Sequence, residues 1–208
     1  MKPILATLAL LALAGLPATL PAADQVTLQV RYGKERDLRT VVIDLHPDAA
    51  PATVENFRKL VRKGFYNGLA FHRAFPGYLV QTGDPQSRRR SGRAVGTGGP
   101  GYTLPPEIRL KTKPGSVAMG RLPDRINPGR LSNGSQFFIL LKNDPKLDGA
   151  YTVFGTVSSG QEVVEEISRK PTDSNDMPSD RVVIHKARLG GPVGPGDKPA
   201  RTRRFWLF

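Results

Sequence analysis

Glycine and proline punctuate this chain so closely that long elements cannot form: 22 glycines and 19 prolines lie among 208 residues. Both break helices and strand interiors and favour turns. The segments left between them are short, and most alternate apolar with polar side chains, the period of a half-buried strand. Val26 to Tyr32 (VTLQVRY) is one, and Leu38 to Leu45 reads as its hairpin partner across a turn at Gly33 to Asp37. Phe71 to Asp84 (FHRAFPGYLVQTGD) reads as two strands broken at Pro76-Gly77. Further strands are expected at 116–120, 136–141, 151–157 and 181–187.

Two segments have helical spacing instead. Pro51 suits the first turn of a helix, Val54, Phe57, Leu60 and Val61 share one face, and Gly64 stops it. Gln161 to Arg169 is a second, short helix with Val163, Val164 and Ile167 as its apolar side. About eight strands and two helices in one domain predict a mainly β fold, a closed eight-stranded antiparallel barrel with a helix over each end.

The two termini stand apart from this pattern. Residues 1–23 have a lysine at position 2, an apolar run from Ile4 to Leu16 and a small-residue segment ending at Ala23. That is the layout of a secretory signal peptide, implying a periplasmic or secreted protein. An uncleaved membrane anchor is the alternative. Residues 24–189 form the domain. Residues 190–208 open with a Gly/Pro-rich linker and end in RTRRFWLF, a basic and aromatic tail expected to be disordered.

The formal charge is +13, which favours anionic surfaces. Arg88, Arg89, Arg90 and Arg93 lie in one loop, and with the tail they suggest weak contact with an anionic membrane. Nucleic acid is not expected for an exported chain. No cysteine is present, so neither disulfide nor thiol chemistry is available. His46, His72 and His185 lack metal-ligand spacing, and neither metal nor cofactor is expected. Gly96 to Gly101 lacks the lysine, the hydroxyl residue and the helix of a phosphate-binding loop.

FHRAFPGYLVQTGD, GSQFFI (134–139) and LDGAYTVFG (147–155) carry no serine beside a base and no carboxylate pair. With TVENF (53–57), GTGG (96–99) and GSVAM (115–119) they resemble, in order, the cyclophilins, over about residues 25 to 189. The resemblance implies peptidyl-prolyl cis–trans isomerase activity on proline-containing unfolded or partly folded polypeptides, and a monomer is expected. It places the catalytic arginine on Arg73 and the proline pocket on Tyr78, Leu79 and Phe138, with Leu147 beside them. The groove glutamines fall on Gln81 and Gln136, and a groove backbone pair on Gly120 and Arg121. Tyr151 stands where many members have histidine and Lys146 where many eukaryotic members have tryptophan. Both departures resemble the bacterial branch and imply weak inhibition by cyclosporin. Phe71 and Phe137 are expected in the core, and His72 in a structural position facing away from the groove.

Overall fold

The computed structural model describes residues 24–89 and 95–191. The proposed leader, Arg90 to Arg93 and the tail from Pro192 onward lie outside them. Among the described residues are eight strands: β1 (Gln25–Tyr32), β2 (Arg39–Leu45), β3 (Arg73–Phe75), β4 (Leu79–Thr82), β5 (Ser116–Met119), β6 (Phe137–Leu140), β7 (Val153–Ser159) and β8 (Val182–Leu189). They form one antiparallel sheet in the order β3-β4-β6-β5-β7-β2-β1-β8. Two helices accompany it, α1 (Pro51–Arg62) and α2 (Gln161–Ser168).

The sheet is an open half-barrel, not the closed barrel expected from the strand count. Its edge strands β3 and β8 do not pair as a ladder. Strand β3 is only three residues long, and just before it Phe71 and His72 bury their side chains. The seam is held instead by residues 68–71, through one bridge between Ala70 and Val183. Main-chain hydrogen bonds support that bridge, from Gly68 N to Ile184 O (2.7 Å), Ile184 N to Leu69 O (2.8 Å) and Phe71 N to Val182 O (2.9 Å).

Helix α1 forms where the 3.6-residue spacing predicts, and its face of Val54, Phe57, Leu60 and Val61 is buried. Its first residues lack a capping side chain of their own, since Ala50 precedes them. The Glu107 carboxylate accepts from Ala52 N (3.1 Å) and Thr53 N (2.9 Å) and so satisfies that end from a distant loop. Helix α2 begins after Gly160, whose φ is +83°. A Cβ there would stand 2.1 Å from Thr40 O, so only glycine fits.

The buried faces of both helices join one inner core. Phe57, Tyr66, Phe137 and Phe154 form its centre, with Phe57 5.4 Å from Phe137 and 5.0 Å from Phe154 between ring centroids. Phe71 is also in this core, as expected.

Candidate active site

Alternation along the strands sets the outer face of the sheet. Phe137 and Ile139 of β6 point into the core, whereas Phe138 and Leu140 join a second apolar cluster with Ala118 and Val153. Tyr78, Leu79, Leu147 and Tyr151 pack against that cluster as half-buried side chains. The register fixes one row across five strands: Arg73 opposite Gln81, Gln81 opposite Phe138, Phe138 opposite Ala118, and Ala118 opposite Val153. A charge, an amide and an aromatic ring therefore stand side by side on one face.

All ten candidate residues line a single groove of about 730 Å3: Arg73, Tyr78, Leu79, Gln81, Gly120, Arg121, Gln136, Phe138, Leu147 and Tyr151. Phe138 is buried, and Tyr151 meets it edge-on at 5.2 Å. The Tyr78 hydroxyl donates to Asp144 Oδ2 (2.7 Å). That bond to a carboxylate, helped by burial, pushes the Tyr78 phenol up to about 12. The neutral ring thus stays a wall of the groove over the whole working pH range.

The polar side of the groove is a chain of hydrogen bonds with one direction. Gln136 Nε2 donates to Gly98 O (2.7 Å) and Gly96 O (3.0 Å). Its amide oxygen must then face Gln81, whose Nε2 donates to it (2.8 Å). Gln81 Oε1 is left to accept from Arg73 Nη1 (3.4 Å). Each amide orientation fixes the next. Asp84 holds the far end of the chain, since its carboxylate accepts from Gly96 N and from Gly98 N.

Arg73 is half exposed and its contacts are loose, a 3.4 Å hydrogen bond and a 3.9 Å ion pair with Asp176. Its guanidinium, 4.9 Å from the Phe75 ring centre, keeps donors for a ligand. Gly120 has its N–H on Gln136 O and its carbonyl on Asn133 N, both at 2.8 Å. The Arg121 side chain braces the groove wall. It donates to Ala150 O (2.7 Å), pairs with Asp124 and lies 4.7 Å over the Tyr151 ring. His72 is buried and outside the lining.

Asp176, Asn133 and the limb Gly96–Thr97 belong to the site but carried no role in the sequence reading. GTGG gave a motif without an assignment. Asp176 lies 103 positions from Arg73 (176 less 73), and nothing local connects them. A second groove of about 770 Å3 surrounds His46 and Thr156. It holds none of the candidate residues, and acids (Asp44, Asp48) and lysines (Lys111, Lys113) share its walls. Among the described residues no three His, Cys, Asp or Glu side chains converge as a metal site.

The profile of the family described as cyclophilin type peptidyl-prolyl cis-trans isomerase/CLD matches residues 27–189. The chain belongs to this family. Its cyclophilin domain is 42% identical over 141 residues to peptidyl-prolyl cis-trans isomerase B of Bacillus subtilis, covering 68% of this chain and 92% of the relative. It is 37% identical over 155 residues to peptidyl-prolyl cis-trans isomerase-like 1 of Aspergillus oryzae, covering 74% and 92%. A Cryptosporidium parvum cyclophilin crystallised in the presence of the dipeptide Ala-Pro superposes with a TM-score of 0.67 at 27% identity, covering 81% of this chain and 99% of that one. Cyclophilin relatives thus come from fungi and bacteria alike.

Proposed function

We propose that the groove accelerates rotation about Xaa-Pro peptide bonds by electrostatic stabilisation of the twisted amide. Rotation must break amide resonance, with a barrier of about 18–20 kcal/mol. Uncatalysed Xaa-Pro bonds exchange over roughly tens to hundreds of seconds. No covalent bond is broken, so the groove needs neither nucleophile nor proton shuttle. At the top of the barrier the prolyl nitrogen is pyramidal and regains its lone pair. A donor aimed at that nitrogen binds the twisted form better than either planar form.

Arg73 is assigned that role, because it stays charged and its donors are loosely held beside an apolar cluster. This juxtaposition is the observation that carries the proposal. Phe138, Leu79, Tyr78, Leu147 and Tyr151 would grip the proline ring and exclude water, which favours the more polar planar amide. Gln81 positions Arg73, and Gln136 positions Gln81. Peptide backbone would pair with the Gly120 carbonyl, which retains a second lone pair, and with the main chain at Arg121. The Ala-Pro dipeptide present with the Cryptosporidium relative supports a proline-containing ligand.

In a proline-limited refolding or peptide assay, Arg73→Ala should lower kcat/KM about 100-fold or more, the scale of removing one preorganised donor. A wild-type rate in that variant would overturn the mechanism. A wild-type chain that bound proline peptides and left the slow phase unchanged would be a binding module instead. Export by the leader, and help in folding exported proteins as a monomer, are part of the same proposal. Membrane contact through the arginine loop finds less support: Arg88 turns back onto the Phe65 carbonyl and ring.

A further inference from the structure

Six large apolar side chains are exposed among the described residues: Leu38, Tyr102, Leu110, Leu122, Ile126 and Leu131. Three of the six, Leu122, Ile126 and Leu131, come from one loop, residues 121–131, and all three also line the groove. Their exposure is 58%, 54% and 41%. Scattered exposed leucines are ordinary, whereas apolar side chains gathered at one edge of a binding groove mark a contact surface.

This loop is ordered by contacts of its own. Ile126 N and Asn127 N both donate to Pro123 O (2.9 Å). The Asn127 amide spans the turn, accepting from Leu131 N (3.0 Å) and donating to Leu131 O (2.8 Å). Asp124 joins Arg121 and Arg130, and those arginines donate to Ala150 O (2.7 Å) and Gly149 O (2.6 Å). The hydrogen bond from Arg121, with Arg130 adding to it, holds the Asp124 carboxyl below its ordinary range, so the clasp persists at neutral pH. The loop is thereby tied to the segment that carries Tyr151. A side chain bound there meets a wall already in place, and little further ordering opposes binding.

Resting on the isomerase reading, we propose that Leu122, Ile126 and Leu131 form an accessory subsite for an aliphatic or aromatic side chain of the substrate polypeptide near its proline. The occupant is part of the chain already held in the groove, because the three side chains continue the lining that holds Phe138 and Tyr151. Apolar side chains close to proline are hidden in folded proteins and displayed in unfolded ones. The subsite would therefore select unfolded, apolar stretches over polar proline linkers.

The test uses alanine-based peptides with one Xaa-Pro bond and either leucine or serine at each position within three residues of the proline. Isomerisation is measured by exchange NMR and binding by anisotropy of labelled peptides. For the wild-type protein, leucine should raise kcat/KM over serine about fivefold to tenfold at one position, mainly through KM, the scale of partly burying one aliphatic side chain. In Leu122→Ser/Ile126→Ser/Leu131→Ser that ratio should collapse to within about twofold of unity, and Ile126→Leu alone should keep it. Ile126→Ser alone should reduce it and guards against misfolding of the triple variant.

A ratio near unity at every position in wild type overturns the proposal, as does a ratio that survives the triple substitution. If wild type binds the peptides without catalysis, the isomerase reading falls. The subsite is then judged by the same leucine-to-serine ratio in binding. A loop that instead joins two copies of this chain would give concentration-dependent mass in sedimentation, abolished by the triple substitution with the ratio unchanged. That result also overturns the subsite.

Discussion

Strand β6 sends neighbouring phenylalanines into opposite environments. Phe137 is fully buried among Phe57, Tyr66 and Phe154. Phe138 is nearly as buried, but its neighbours Tyr78, Leu79, Leu147 and Tyr151 are only half covered. The inner ring is enclosed by the fold itself. The outer ring belongs to a wall that a ligand would complete. Burial alone therefore does not separate core from site here; the exposure of the neighbours does.

Substitutions can break this comparison. Phe137→Ala should cost about 3–5 kcal/mol of stability, since a tightly packed aromatic centre cannot collapse into the void. Phe138→Ala should cost less, about 2 kcal/mol, and should lower kcat/KM tenfold or more by removing the apolar floor. Denaturant unfolding together with the isomerase assay reads both. Equal stability losses would show that the outer cluster is a second core rather than a site.

Glu107→Gln should cost about 1 kcal/mol of stability, because a neutral amide caps α1 less well than a carboxylate. Activity should be unchanged, since the carboxylate bonds only α1 and Glu107 is not part of the groove lining. Asp176→Asn should change kcat/KM by about twofold at most, as the pair is long and exposed. A large loss there would promote Asp176 from neighbour to essential partner of Arg73.

The smallest effect expected is on pH dependence. Burial holds His72 below its ordinary value, with Asp84 opposing. Burial and then the Lys113 charge do the same for His46. The unfolded chain then takes up protons at a higher pH than the native one. Their contribution to stability is full above about pH 6.5 and is lost as pH falls below it toward the native values. Melting temperature should drop between pH 7.5 and 5.5, and His72→Gln should flatten that drop. The depressed carboxyls of Asp124, Asp144 and Asp148 act in a separate, more acidic window.

Much of this was legible because side-chain alternation is local. The period of two that places Phe137 inside also places Phe138 outside, and α1 announced its buried face through Val54, Phe57, Leu60 and Val61. The resemblance then gathered Arg73, Gln81 and Gln136, and the structure puts them on one hydrogen-bonded chain. What could not be read depends on partners distant in sequence. Glu107 caps a helix that begins 56 positions earlier (107 less 51). The break between β3 and β8 depends on residues 68–71 meeting β8 through one bridge, a long-range contact that strand periodicity does not register. Leu122 and Ile126 stand four apart but in a proline-containing turn rather than a helix, and only the turn geometry brings them to the groove with Leu131.

The shortness of β3 has a consequence for any extended polypeptide that reaches the groove. Arg73 stands on the outermost strand, where a sheet is open to recruitment by any extended polypeptide. Here Ala74 N is already taken by Asp176 O at 2.9 Å, from a residue held at φ +61°. A client lying beside Arg73 finds few main-chain groups to zip onto. A proline-containing chain in the groove would thus stay unstitched from the sheet beside it.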